Sequence, residues 1–281
     1  MLRRLLPLLP RHLRHTLIRR NFRYDESELE GVEVSVADQV SEYVDAAKLL
    51  YDGYLGRGMI SPHGAGVRFT PYLALPSTLI FVAKRHGTLV GTLSLVIDRS
   101  IHLPMDKVFR EELEALRAQG RRLAEVGALC VAKGVRGLGI PFLLYKTMWL
   151  TTRLLPIDDL VVAVRPSIAE SYQAMLLFEP IADARPFPGL LLKVVGLRLR
   201  LDDAVASFHK AFGHLPKNQQ NPLYMYVERD HPQIRIPTDP DFNAALRPVR
   251  MQAAVKLAAL RPDTILDLDP SDFEHLQEEF D

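Results

Sequence analysis

Glu125-Val-Gly-Ala-Leu-Cys-Val-Ala-Lys-Gly-Val-Arg-Gly-Leu-Gly-Ile-Pro-Phe-Leu-Leu-Tyr145 decides the reading of this chain. It runs as an apolar strand, a short basic glycine-rich turn, and a helix. The turn Arg136-Gly137-Leu138-Gly139 falls where the strand hands over to a helix N-terminus. Glycines there let backbone N–H groups approach an anion closely, and the helix end adds partial positive charge. Pro141 suits a first helical turn, because its missing N–H has no intrahelical partner to lose. The turn is therefore a candidate cradle for phosphate or pyrophosphate. Alone, such a turn is a weak signal, and its surroundings give it meaning.

Outward from it, β and α patterns alternate. Val32–Val36 reads as a strand and Asp38–Leu55 as a helix with Asp38 as cap. Ser61–Pro76 reads as a loop. Thr78–Lys84 and Thr88–Asp98 form a hairpin signal around His86-Gly87. Pro104–Arg117 reads as a helix, as does Ile140 to about Leu154. Leu160–Val164 is a strand, Ser167–Leu177 a helix, and Gly189–Leu201 a long strand. The pattern predicts an α+β fold, a mostly antiparallel sheet with interleaved helices. The expected organisation is a basic N-terminal segment (1–30), one central domain (31–202) and a C-terminal extension (203–281). The extension is mainly helical, at Asp203–Phe212, Met251–Leu260 and Ser271–Phe280.

Composition narrows the function. With 281 residues and 48% hydrophobic content, the chain can bury one sizeable core with appendages. Cys130 is the single cysteine, which excludes disulfides and fits a reducing setting. No apolar run reaches the length of a membrane span. The net charge of +1 conceals an asymmetry: residues 1–24 carry seven arginines and no acid, and residues 263–281 carry eight acids and no Lys or Arg. Between Pro10 and Phe22, Leu13, Leu17, Ile18 and Phe22 can share a helical face ringed by Arg11, Arg14, Arg19 and Arg20. Two readings fit: a basic helix for an anionic membrane or an acidic protein, or a helix packed on the core with solvated arginines. The nine histidines show no metal-binding spacing, so no metal site is expected. Aromatic and basic residues do not interleave as nucleic-acid platforms require, so no nucleic acid is expected.

Several blocks then give a specific resemblance. The order strand, glycine turn, helix, strand, helix, strand is similar to the core of the GNAT acyltransferase superfamily. Ala47–Gly58, Gly87–Asp98, Leu103-Pro-Met-Asp-Lys-Val-Phe109, Glu125 with Leu129 and Val131, and Tyr172–Pro180 resemble the FeeM-type long-chain N-acyl amino acid synthases, relatives of acyl-homoserine-lactone synthases. The resemblance covers roughly residues 32–200, and its most distinctive part is the Leu-Pro-Met-Asp block. It implies a bacterial N-acyltransferase moving a long-chain acyl group from an acyl carrier protein thioester to a small amine, an amino acid being the expected acceptor. The co-substrate is then an acyl-phosphopantetheine thioester, with no tightly bound cofactor. The location is cytoplasmic, with peripheral contact at the inner membrane face through the N-terminal segment.

Residue roles follow from the same resemblance. Leu129, Cys130 and Val131 match the strand whose backbone N–H polarises the thioester carbonyl. Arg136, Gly137 and Gly139 match the donor-phosphate turn, and Asp98 and Arg165 fall where the acceptor binds. Glu125 is the candidate base, acting through a water. Its alternative is a strand carboxylate paired with Arg121 or Arg122. Tyr172 matches the tyrosine that protonates the leaving thiolate, with a core tyrosine as alternative. There are departures. Pro141 stands at the sixth place of the R-x-x-G-x-G/A pattern, Leu177 replaces a usual glycine, and Ala128 and Arg165 replace Arg and His. Two rivals stay open: a coenzyme-A-dependent N-acetyltransferase, and a non-catalytic acyl- or carrier-binding module.

Overall fold

Seven strands make one open sheet: β1 (Val32–Val36), β2 (Thr78–Arg85), β3 (Thr88–Ile97), β4 (Leu123–Val131), β5 (Asp159–Val164), β6 (Glu179–Pro186) and β7 (Lys193–Arg200). Their spatial order is β1-β2-β3-β4-β5-β7-β6, and every neighbouring pair is antiparallel except β4 with β5. The computed structural model describes residues 9–135, 137–239 and 241–261. Its helices are α1 (Arg11–Asn21), α2 (Val40–Leu55), α3 (Pro71–Ala74), α4 (Asp106–Arg117), α5 (Gly139–Thr152), α6 (Pro166–Leu176), α7 (Ala204–Phe212), α8 (Phe242–Ala245) and α9 (Arg247–Leu260). A 3-10 turn at Glu26–Leu29 and a π-helical turn at Leu223–Glu228 complete it.

Both faces of the sheet are covered, which explains the nearly continuous apolar runs of β2 to β5. On one face Val34, Phe81, Leu93, Val126, Leu160 and Leu197 pack against α5, whose Phe142, Leu143 and Leu144 are buried. Helix α5 is apolar almost all round because it lies inside this layer, and a helix with no solvent face needs no amphipathic pattern. On the other face Ile80 and Val82 meet α2 and α9. Leu123, Val161 and Val194 there meet Phe109 and Leu113 of α4.

The local chemistry of turns holds this together. His86 and Gly87 have φ of 50° and 80°, the paired positive values of a two-residue hairpin turn. Helix α2 starts at Val40 rather than Asp38, because Gln39 and Glu42 form a reciprocal capping box. Leu177 ends α6 at φ 58°, the left-handed position where a glycine is usual, and its N–H returns to the Tyr172 carbonyl.

One strand escaped the sequence pattern. The sequence pattern predicts no element between Leu177 and Gly189, yet β6 pairs there along the outer edge of β7. Pro180 and Pro186 fit only an edge, and two register shifts break its alternation, so no period-two signal exists. The expected strand Gly189–Leu201 is correspondingly shorter, at Lys193–Arg200.

The outer helices of the described region pack on the main body. Arg14 pairs with Glu170, Arg11 donates to Gln173, and the Arg19 guanidinium lies 5.6 Å from the Phe212 ring centre, so α1 packs beside α6 and α7. Leu13 remains 44% exposed, so the apolar side of α1 is not wholly covered by these contacts. After α7, Val34 N–H donates to Gln233 and Arg235 N–H to the Val34 carbonyl, which extends the sheet edge by one bridge. Ala253 and Leu257 of α9 are buried against α2. The Ser271–Phe280 helix and the acidic stretch 263–281 lie outside the described residues.

Helix α2 approaches β4 at Gly53, where a Cβ would stand 2.1 Å from the Cys130 sulfur. Gly53→Ala is therefore expected to destabilise the fold by about 1–3 kcal/mol through overpacking. In a Cys130→Ala background the same change should become neutral or stabilising, since alanine is the better helix former. Urea titration of the four proteins in a double-mutant cycle checks this. Equal costs of Gly53→Ala in both backgrounds would refute the contact.

Candidate active site

A buried carboxylate fixes the root of the site. Asp159, at the start of β5, is fully buried, and both of its oxygens accept from Arg121 at 2.7 and 3.0 Å. Arg198 of β7 adds a third bond at 2.9 Å. Arg121 also forks onto Asp202, and Arg122 holds Asp158. These pairs clamp the ends of β4, β5 and β7 together. From the clamp, β4 and β5 pair in parallel for only three rungs: Leu123 with Asp159, Ala124 with Leu160, and Glu125 with Val161.

Beyond Glu125 the two strands part. Ala128 adopts φ 50°, which a residue with a Cβ rarely takes, and the β3–β4 register slips between Thr92 and Ser94. That bulge inserts one extra residue in β4 and bends it away from β5. The space opened is a cavity of about 1040 Å³. Its walls are the diverging strands (Val126–Val131 and Val162–Val164), the end of α2, one side of α5 and α6, and Leu190, Leu192 and Val194. From Val126 on, one edge of β4 has no strand partner, so backbone donors and acceptors border a largely apolar space.

Two tyrosines meet at this cavity. The Tyr145 and Tyr172 hydroxyls are hydrogen-bonded to each other, and both residues line the space. Burial pushes the Tyr172 phenol up to about 12 against the opposing effect of the Tyr145 bond. Burial likewise pushes Tyr145 well above the ordinary phenol range, with Tyr172 adding to the effect. Both are therefore neutral O–H donors at physiological pH. Cationic groups stand on the same lining: Arg57 after α2, Lys133 after β4, and Arg165 at the start of α6. Arg57 donates to the Gly53 carbonyl and lies 3.7 Å from the Cys130 sulfur.

The expected residues distribute as follows. Leu129, Cys130, Val131, Gly137, Arg165 and Tyr172 all border the cavity. Gly139 begins α5, and its N–H donates to the Glu28 carboxylate. Arg136 lies outside the described residues. Glu125 occupies the last paired rung of β4, but its side chain turns to the α4 face, where its Oε2 accepts from the Met105 N–H at 2.7 Å. It is 6% exposed and is not part of the cavity lining, and the arginines 121 and 122 are engaged with other acids. Asp98 is likewise off the lining. Both its oxygens bond to Arg117, which also grips Asp106.

The Leu103-Pro-Met-Asp block acquires a physical role here. Asp106 accepts from the Leu103 N–H and anchors Arg117, so the block is folded tightly enough to present the Met105 N–H to Glu125. Burial raises the Glu125 carboxyl well above its usual range, the Met105 bond opposes this, and the nearby Asp106 and Asp98 charges raise it further. Tyr145 and Arg57 were not singled out by sequence reasoning. Arg57 lies inside the quoted block Ala47–Gly58, where its charge was visible. Nothing marked Tyr145 among the apolar residues of α5.

Among the described residues, no group of three or more His, Cys, Asp or Glu side chains is placed to hold a metal, and no helix is long and apolar enough to cross a membrane. The raised carboxyl of Glu125 has a consequence for stability. A carboxyl protonated more readily in the folded state makes stability fall as pH rises above its ordinary value of 4.5. Glu125→Gln cannot ionise, so its stability relative to the parent should improve between about pH 5 and about pH 8. Urea midpoints of the two proteins at both pH values test this, and a constant difference would contradict it.

Known proteins share this fold and, over part of the chain, its sequence pattern. The solved structure of FeeM, an N-acyl amino acid synthase from uncultured soil microbes, superposes with a TM-score of 0.56 at 20% identity, over 62% of this chain and 93% of that one. The acyl-homoserine-lactone synthase LasI gives 0.48 at 15% identity, over 61% and 89%. The coenzyme-A-dependent acyl-homoserine-lactone synthase BjaI gives 0.49 at 12% identity, over 64% and 89%. No curated protein matches the sequence significantly. The family model of the N-acyl amino acid synthase FeeM matches residues 45–200, more than half of the chain. That stretch runs from α2 through the clamp and the splayed strands to the end of β7, and on it this chain belongs to the FeeM family of acyltransferases.

Proposed function

We propose that this chain transfers a long-chain acyl group from the phosphopantetheine thioester of an acyl carrier protein to the amine of an amino acid. The observation that carries this reading is the cavity between β4 and β5. It is far larger than an acetyl group needs, apolar along the strands, and bordered by Arg57, Lys133 and Arg165. An apolar wall suits an acyl chain. The cations suit a carboxylate on the acceptor and a phosphate on the donor arm, both as single charges.

The parts then take roles. The unpaired edge of β4 at Leu129–Val131 offers backbone N–H groups to the oxyanion that forms when the amine attacks the thioester carbonyl. Glu125 draws the amine proton through water reaching past the last paired rung of β4, since its own carboxyl lies on the α4 side and off the cavity lining. Its raised carboxyl brings it nearer the operating pH of a base. As the C–S bond breaks, Tyr172 gives its phenolic proton to the thiolate, and Tyr145 holds that hydroxyl in place. Arg165, with Arg57 on the same lining, receives the acceptor carboxylate. Asp98 acts at a remove, by holding Arg117 and so the segment that carries Met105. The exposed Arg20 and the exposed lining residue Lys133 supply positive charge toward an acidic carrier protein or an anionic membrane surface.

Turnover with a long-chain acyl carrier protein is expected to exceed that with the matched acyl coenzyme A. Glu125→Gln should lower kcat by roughly 10²–10⁴-fold. Single-donor kinetics with each thioester, and product identification by mass spectrometry, test both points. A preference for acetyl coenzyme A, or an unchanged rate in the variant, would overturn them.

Removing the acceptor's carboxylate contact has a different signature. Arg165→Gln should raise the acceptor KM by roughly 10-fold or more while changing kcat less, because the contact exists before and during reaction. Equal losses for an amino acid and for its decarboxylated amine would remove Arg165 from this role.

A further inference from the structure

The glycine turn ahead of α5 already holds an anion, and that anion is the chain's own. At the start of α5 the Phe142 N–H donates to the Leu138 carbonyl at 3.0 Å, and Pro141 has no N–H. Among the described residues, the N–H of Gly139, one turn ahead of that bond, is therefore a donor open to a group outside the helix. The N–H of Gly139 donates to Glu28 Oε2 at 3.3 Å. Gly137, at φ 96°, lies so close beneath that a Cβ there would stand 1.9 Å from the same oxygen. The carboxylate thus rests flat on the glycine turn.

Glu28 is fixed in this position from its own side. Its Oε1 accepts from the Asp25 N–H at 3.0 Å, and Arg85 donates to its carbonyl oxygen. Tyr24, four residues earlier, stacks on Phe142 of α5 with ring centres 5.7 Å apart. Glu28 lies before residues 45–200, the part matched by the family, so the family assigns it nothing. The other side of the same turn is open, since Lys133, Gly137 and Pro141 border the cavity.

We propose that Glu28 is a specificity residue that excludes donors carrying a diphosphate. Its carboxylate occupies the place at the start of α5 that a diphosphate would take, by charge and by volume. Coenzyme A thioesters are turned away, whereas a thioester on a single phosphodiester arm meets Lys133 at the open side and leaves the turn undisturbed. This deepens the carrier-protein reading given above and rests on it.

The test is calorimetric binding of unacylated coenzyme A and of 4′-phosphopantetheine to the full chain, to Glu28→Gln and to Glu28→Ala. The glutamine variant keeps the length and the bond from Asp25, so it removes charge while preserving the turn, and thermal unfolding checks that all three proteins fold. Both variants are expected to bind coenzyme A at least about 10-fold more tightly than the parent. The glutamine variant's gain should shrink as salt is raised, and 4′-phosphopantetheine binding should change less than coenzyme A binding. Equal coenzyme A affinity in all three proteins, or no coenzyme A binding by any of them, overturns the proposal. Turnover with acyl carrier protein is measured beside it. Tighter coenzyme A binding in the variants without turnover from any donor would keep Glu28 as the excluding group while refuting the acyl-transfer reading.

Discussion

Everything in this molecule hangs on the short parallel contact between β4 and β5 and the buried charge that clamps its end. Asp159 has no solvent to stabilise it, and Arg121 and Arg198 replace that solvation with three short bonds. Leaving such a charge buried and unpaired would cost several kcal/mol, so the clamp is held firmly. With one end of the strand pair fixed, the bulge at Ala128 can only open the other end. A sheet that would otherwise be sealed acquires a wedge of unpaired backbone, and the cavity follows directly from that.

The wedge is supported by contacts that look incidental in isolation. Gly53 lets the end of α2 lie against Cys130, which brings Tyr54 and Arg57 to the cavity wall. Any side chain at that position would push α2 outward and widen the wall. The Asp98–Arg117–Asp106 cluster folds the Leu103–Asp106 block against β4, and this sets the environment of Glu125. Structural ion pairs and candidate chemical groups are thus neighbours in one network, and the charge of one raises the carboxyl of the other.

The cavity lining combines two kinds of chemistry. The strand edge and the tyrosine pair border a largely apolar space in which both hydroxyls stay protonated. The same lining also carries Arg57, Lys133 and Arg165. On the far side of the glycine turn, Glu28 presents the opposite sign to anything that would approach from there.

The fold class was legible in the sequence because it depends on local period. The continuous apolar strands, the hairpin at His86-Gly87 and the strand–turn–helix of residues 125–145 each carry their signal within a few residues. The residues bordering the cavity on β4, α6 and the glycine turn were legible through the family blocks they sit in. What the sequence left open were the facts made by distant partners. The direction of Glu125, away from the cavity and toward Met105, is set by the pleat of β4 and a segment twenty residues earlier. Tyr145 meets Tyr172 only because α5 and α6 lie on one face. Glu28 meets Gly139 across more than a hundred residues, and no local pattern announces an acid in an anion's place. Strand β6 has no period of its own and exists because β7 offers it an edge. Local propensity and patterning thus determined the elements, whereas burial, register and long-range charge pairing, which exist only after folding, decided the site.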